Sequence, residues 1–327
     1  MKHNLLVTLS NIGDVILTTP VITAMAGRFP DSKLTVVVGP KAAPLLAGSR
    51  LIDELVLYDK HSGLGGQIQF IKKLRQKNYE WAVDLRNTAI PFFVSARHRS
   101  PLFRRLKEVS MRARHLEVLR RSGIEASAAP HFDFFSPAEE KSLVSKLQAE
   151  GLREERGFIV VSPVAASALK SWPLLKFKEV IAGLLRERSE PLVLAGDEQE
   201  RPLVAGLVEL APQRIFNLAG KTTLPELAAL VSQASLVLAN DSAVMHLGHE
   251  MDRPVAALFG PTDPGKYGRT GPHFKIIREP VACSPCQRSS CLYARQHCFE
   301  DLAAAPVLQA CLELLNRGAL SGGFRAR

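Results

Sequence analysis

No run of 18 apolar residues occurs anywhere in the 327-residue chain, which argues against a transmembrane helix. A secretory leader is not expected either. Met1-Lys2-His3-Asn4 opens onto only Leu5–Leu9 before Ser10 and Asp14 interrupt. No GxGxxG follows that first apolar run, so a nicotinamide-type fingerprint is missing. Five cysteines in a chain of this length do not suggest a secreted disulfide scaffold. Acidic residues are the minority, 32 against 42 Lys and Arg, giving a net charge of +10. Such an excess suits an anionic partner: nucleic acid, a membrane surface or an acidic substrate. What remains is a cytosolic chain, long enough for two domains and apolar enough (46%) to fill their cores.

Short apolar runs alternate with helical segments. Leu5–Leu9, Leu34–Val38, Leu55–Tyr58 and Trp81–Leu85 read as strands, with helices over Val15–Phe29 and Gln67–Lys77 among them. Phe158–Val161 restarts the pattern, Pro191–Ala195 continues it, and Leu174–Arg188 reads as a helix. Strands separated by helices predict parallel sheets of the doubly wound α/β type. Ser136 and Glu139 form a capping box that starts a helix ending near Gly151. The charged stretch Arg153–Arg156 is the expected linker. The expected domains are therefore 1–152 and 157–305, followed by a final helical segment, 306–327.

The most informative stretch is Ser235–Pro264. Two apolar runs, Leu236–Ala239 and Val255–Phe259, flank Asn240-Asp241-Ser242 and a helix from Ala243 to about Glu250. Asp241 and Ser242 are good N-cap residues. A strand, a tight turn and a helix start make an anion site, because free amides and the helix dipole point the same way. His246 lies one turn in. Gly260-Pro261-Thr262-Asp263-Pro264 adds a stiff loop at the same mouth. An ordinary crossover with a capped helix and a surface histidine would show the same pattern.

Asn11-Ile12-Gly13-Asp14-Val15 with Thr18-Thr19-Pro20, Lys170-x-Trp172-Pro173, Asn240–Leu247 and Leu258–Pro264 together resemble the lipopolysaccharide heptosyltransferases, glycosyltransferase family 9. The resemblance covers nearly the whole chain. It implies a GT-B fold: two Rossmann-like domains facing across a cleft, the last helix packing back on the N-terminal one. It implies an inverting glycosyltransferase that moves heptose from ADP-heptose to the lipid A–Kdo inner core of lipopolysaccharide, without cofactor or metal. Asp14 would be the base acting on the acceptor hydroxyl. Lys170, Ser167, Asp241, Ser242, Ala243 and His246 would hold the donor; Ala243 stands where the family often has glycine. Glu200, with Glu198 as substitute, would hold the ribose.

Arg97 to Arg121 carries nine basic residues against Glu108 and Glu117. It reads as a solvated face or as a docking surface for an anionic acceptor, through Arg97, Arg99, Arg104 and Arg105. Only Phe103 interrupts the run, so single-stranded nucleic acid is not expected. Peripheral contact with the cytoplasmic face of the inner membrane is compatible with such a segment, and a monomer is expected. Cys283-x2-Cys286-x4-Cys291-x6-Cys298 lacks a second CxxC knuckle. Free thiols or labile disulfides are the expectation there, with metal as the alternative. The competing functions are a family member with another donor or glycan acceptor, a sugar-nucleotide epimerase of the same fold, and a non-enzymatic basic binding protein.

Overall fold

The structure is a computed structural model that describes residues 1–102, 105–125, 132–152 and 157–320. The chain divides into two compact units, Met1–Phe135 and Ser136–Arg327. In the first, β1 (Lys2–Val7), α1 (Ile12–Ile16), α2 (Thr19–Arg28), β2 (Ser32–Val38), α3 (Ala43–Ala47), β3 (Glu54–Leu57), α4 (Leu64–Leu74), β4 (Asn78–Asp84), β5 (Ser95–Arg99) and α5 (Met111–Arg121) follow in order. All neighbours in its sheet are parallel, in the order β3-β2-β1-β4-β5. The expected helix over Val15–Phe29 is two helices. Pro20 cannot donate to a preceding turn and takes a first-turn position of α2 instead.

The second unit runs α6 (Pro137–Ala149), β6 (Phe158–Ser162), α7 (Leu174–Glu187), β7 (Leu192–Leu194), α8 (Arg201–Val208), β8 (Ile215–Asn217), α9 (Leu224–Gln233), β9 (Ala234–Asn240), α10 (Ala243–Glu250), β10 (Val255–Leu258), α11 (Pro264–Tyr267), β11 (Phe274–Ile277), α12 (His297–Glu300) and α13 (Ala304–Leu320). Its sheet is also parallel, ordered β11-β10-β9-β6-β7-β8. All five residues of β6 and all four of β10 are buried, as strands covered on both faces require.

The boundary differs from the expected 1–152. Helix α6, with its capping box in place, packs on α9. Glu226 of α9 is buried and accepts from Ser142 Oγ at 2.6 Å and Lys146 Nζ at 2.6 Å. Those bonds tie α6 to the second unit, which therefore begins at Ser136. The expected linker, Arg153–Arg156, lies outside the described residues. Helix α13 packs on α7, β9, β10 and β11, burying Val307, Cys311 and Leu314 in the core of the second unit. Among the described residues no helix is long and apolar enough to cross a membrane.

Candidate functional site

In each sheet the chain winds outward from its first strand and then returns to that strand's other side. The reversals fall between β1 and β4 and between β6 and β9. Loops leaving such a pair diverge, which opens a crevice at the carboxyl ends of the strands.

In the second unit that crevice is built by Asn240. Fully buried, its Nδ2 donates to Pro163 O at 2.8 Å, and its Oδ1 accepts from Trp172 N at 3.1 Å. The loop after β6 is thereby tied to the end of β9. Trp172, itself buried, donates Nε1 to Leu302 O at 3.2 Å. A short 3₁₀ turn, Ala168–Lys170, closed by Lys170 N to Ser167 O at 2.8 Å, then aims the lysine. Lys170 Nζ lies 2.8 Å from Asp241 Oδ2, and 5.7 Å from the centre of the Tyr267 ring. His246 Nε2 stands 3.7 Å from the other oxygen, Asp241 Oδ1. The His246 and Tyr267 rings are 6.4 Å apart, edge to face.

Helix α10 starts beside this cluster without a side-chain cap. Ser242 is extended there, and its buried hydroxyl has no hydrogen-bond partner among the described residues. The same holds for the hydroxyl of Thr262, in the loop after β10. Leaving a buried hydroxyl unsatisfied costs about 1–3 kcal/mol. The Ser242 donor, at an uncapped helix start, together with the nearby ammonium group, can receive the oxygens of an anion. Ala243 forms the first helical residue of α10. Ser167 contributes its backbone to the lysine turn.

Glu200 sits at the end of the β7 loop as the N-cap of α8 and accepts from Asp197 N at 2.9 Å. Burial pushes its carboxyl up, Asp197 N–H pulls it down, and the Asp197 charge pushes it up again. Gly196 and Gly220 line the same turn: a Cβ on Gly196 would meet Glu200 Oε2 at 2.5 Å, and Gly220 has φ +72°. Further along α10, His249 is buried and neutral. Burial, then the neighbouring His246 and Arg269, push its pKa down to about 3.

The first unit places Asp14 in the first turn of α1, half-buried, just after β1. Asn11 is the N-cap. Asn11 Nδ2 donates to Asp14 Oδ2 at 2.9 Å, which fixes the carboxylate without consuming its second oxygen. The loop is pinned from the side by β2. Gly39 N donates to Leu9 O at 3.2 Å, and a Cβ on Gly39 would fall 2.7 Å from Ser10 Cα. Only glycine fits that approach. Across the β1/β4 reversal Arg86 reaches Ser10.

The basic segment is more structured than a solvated arm. Arg97 and Arg99 lie on β5, an edge strand that the sequence did not suggest. Arg97 pairs with Glu80 at 3.3 Å, and Arg99 donates to Pro91 O and Val94 O at 2.9 and 3.1 Å. Glu117 is buried and accepts from the amides of Lys107 and Glu108, folding 105–121 onto itself. Arg105 is exposed, and Arg104 lies outside the described residues.

The four cysteines Cys283, Cys286, Cys291 and Cys298 do line one cavity of about 260 Å³, with His297 at its edge. All are free thiols. No group of three or more His, Cys, Asp or Glu among the described residues is placed to hold a metal ion. His297 is occupied by Asp301 at 2.8 Å.

The family model for glycosyltransferase family 9 (heptosyltransferase) matches residues 113–297. This chain belongs to glycosyltransferase family 9. It is 30% identical over 291 residues to lipopolysaccharide heptosyltransferase 3 of Escherichia coli K12, covering 77% of this chain and 80% of that one. Among solved structures it resembles the family 9 glycosyl transferase of Veillonella parvula, with a TM-score of 0.81 at 22% identity, covering 97% of both chains. It also resembles the E. coli heptosyltransferase WaaC with ADP, with a TM-score of 0.72 at 20% identity over 95% of this chain and 99% of that one. The two parallel α/β sheets are thus those of a GT-B glycosyltransferase, as the motifs implied. Sequence reasoning missed Asn240 and Tyr267 at this site. Asn240 stood inside the quoted motifs, but nothing in its spacing distinguishes a buried tie from a turn residue.

Proposed function

We propose that this family 9 enzyme transfers a heptosyl group from ADP-heptose to the inner core of lipopolysaccharide, inverting the anomeric carbon. The observation that carries the reading is the cluster of Lys170, Asp241 and His246 beside the uncapped start of α10. It has the charge and the open donors that a nucleoside diphosphate needs. The sugar and the acceptor are taken from the relative already named, a lipopolysaccharide heptosyltransferase.

In this reading Asp14 removes the proton from the acceptor hydroxyl as its oxygen attacks the anomeric carbon. The bond from that carbon to the diphosphate breaks, and ADP leaves with the electron pair. Lys170, the amides of α10 and the Ser242 hydroxyl take up the charge growing on the departing phosphate. Asp241 positions Lys170 and His246, and Glu200 meets the ribose. Ser167 and Ala243 bring backbone close to the donor. The basic excess of 97–121, with Arg105 exposed, gives the acceptor side its positive field, and a peripheral approach to an anionic leaflet follows from the same charge.

Calorimetric titration with ADP, UDP and NAD tests the donor half. Selective ADP binding, weakened by His246→Ala, is the expected result. Preference for UDP would replace the donor, and no binding by any of the three would overturn the enzyme reading.

A further inference from the structure

We infer that Arg86 is an acceptor-binding residue: a preformed receptor for a carboxylate or phosphate group on the acceptor, tethered to the loop that leads into Asp14. The inference rests on the proposed transfer reaction and extends it to a residue outside every motif that the family resemblance uses.

Four observations converge on this side chain. The first is its place. Arg86 lies two residues past β4, and Asp14 lies in the first turn of α1, the helix that follows β1, so the two flank the strand reversal of the first sheet. The second is its tether. Arg86 Nη1 donates to Ser10 Oγ at 2.7 Å, and Ser10 is four residues before Asp14 on the same loop. The third is its charge. The guanidinium lies 5.2 Å from the centre of the Tyr58 ring, and no carboxylate among the described residues pairs with it. Burial favours pairing an arginine with an acid, and Arg86 is half-buried. This one has a hydroxyl and an aromatic face, both neutral. Stacking on Tyr58 leaves the edge of the planar fork for other acceptors, and that edge matches two oxygens of a carboxylate or phosphate.

The fourth observation is how firmly the backbone is held. Asp84 is buried and binds the whole turn: Arg86 N at 2.7 Å, Thr88 N at 2.5 Å and Thr88 Oγ1 at 2.7 Å. Asn87 is left-handed, with φ 60°. A non-glycine residue in that region costs free energy, and the turn is over-determined to keep it there. The result is a fixed cation whose neutral tether reaches the loop of the proposed base. The basic run that drew attention in the sequence differs: Arg97 has an acidic partner and Arg99 is spent on carbonyls.

The test compares wild type with Arg86→Gln and Arg86→Lys in steady-state transfer from ADP-heptose. The acceptors are lipopolysaccharides truncated after no, one or two heptoses, and kinetics use the one that wild type extends. Arg86→Gln should raise the acceptor KM on the order of 10- to 100-fold, as expected for a lost charge-assisted pair. The donor KM, the ADP Kd and the melting temperature should stay at wild-type values. Arg86→Lys should fall between, because it keeps the charge and loses the fork. Dephosphorylating the acceptor identifies the source: if the penalty of Arg86→Gln then vanishes, the partner is a phosphate, and if it persists, a carboxylate. An unchanged acceptor KM overturns the inference, and so does a KM that moves only together with the melting temperature. Thermophoretic binding of the same lipopolysaccharide without donor reads Arg86 even where transfer fails. Loss of ADP binding by wild type would instead indict the functional reading.

Discussion

Replacing Lys170 with alanine should weaken ADP binding by one to two orders of magnitude, with only a small loss of stability. Two effects add. The diphosphate loses a charge-assisted contact worth about 1.5–3 kcal/mol, or roughly 12- to 150-fold in Kd. Asp241, whose side chain is 4% exposed, also loses its partner at 2.8 Å and, among the described residues, is left with His246 at 3.7 Å. Stranding one member of a fully buried pair costs about 3–5 kcal/mol. Lys170 is 36% exposed, so water screens the pair and a loss nearer 1–2 kcal/mol is expected. For a unit of this size that lowers the melting temperature by several degrees. Adding Asp241→Asn to Lys170→Ala removes the stranded charge. It should restore the melting temperature and return part of the affinity. Calorimetry with ADP and thermal melts of the two single variants and the double variant give the complete cycle. Wild-type ADP affinity in Lys170→Ala would refute the reasoning, as would a double variant no better than the single one.

Three further outcomes follow from the same geometry. Asn240→Leu strands the Trp172 amide and the Pro163 carbonyl and should destabilise the second unit by about 2–4 kcal/mol, read by urea melts; a change under 0.5 kcal/mol would show that the tie is dispensable. Gly39→Ala forces a Cβ against the Ser10 backbone and should cripple transfer while ADP titrations stay normal, whereas full transfer activity would mean that the Asp14 loop tolerates displacement. His249 is held neutral in the fold down to about pH 3, while in the unfolded chain it protonates near pH 6.5. The unfolded state thus binds more protons, and stability should fall as pH drops from about 6.5 toward 3, by up to about 1.4 kcal/mol per pH unit. His249→Phe, packing against Phe274, should flatten that slope in melts at pH 7 and pH 5; an unchanged slope would assign it elsewhere.

Most of the architecture was legible because parallel strands covered on both faces are continuous apolar runs. Strands β5 and β11, which no apolar run marked, are edges. β5 reads Ser-Ala-Arg-His-Arg and is largely exposed, and β11 is only four residues with a buried residue at each end. The extent of the first unit was misread because a capping box marks where α6 begins but not what it packs on. The Glu226 bonds that decide this come from residues some 80 positions away. The site shows the same division. Motifs placed Lys170, Asp241 and His246 in one crevice, and the fold brings them together across 71 residues. The cysteine spacing pointed to one locus, and the four thiols do share a cavity, yet none of the described groupings is close enough to hold a metal ion. Arg86 was invisible because charge density pointed to 97–121. What distinguishes it is a guanidinium that meets a hydroxyl and an aromatic face, which no linear pattern displays.

The most direct measurement is mass-spectrometric transfer from ADP-heptose to truncated lipopolysaccharide, run side by side for wild type and Asp14→Asn. Wild type should add one heptose and release ADP. Asp14→Asn should bind ADP with wild-type affinity and transfer at least about 100-fold more slowly, the scale of a lost general base. Transfer by Asp14→Asn at the wild-type rate would contradict the mechanism at its centre.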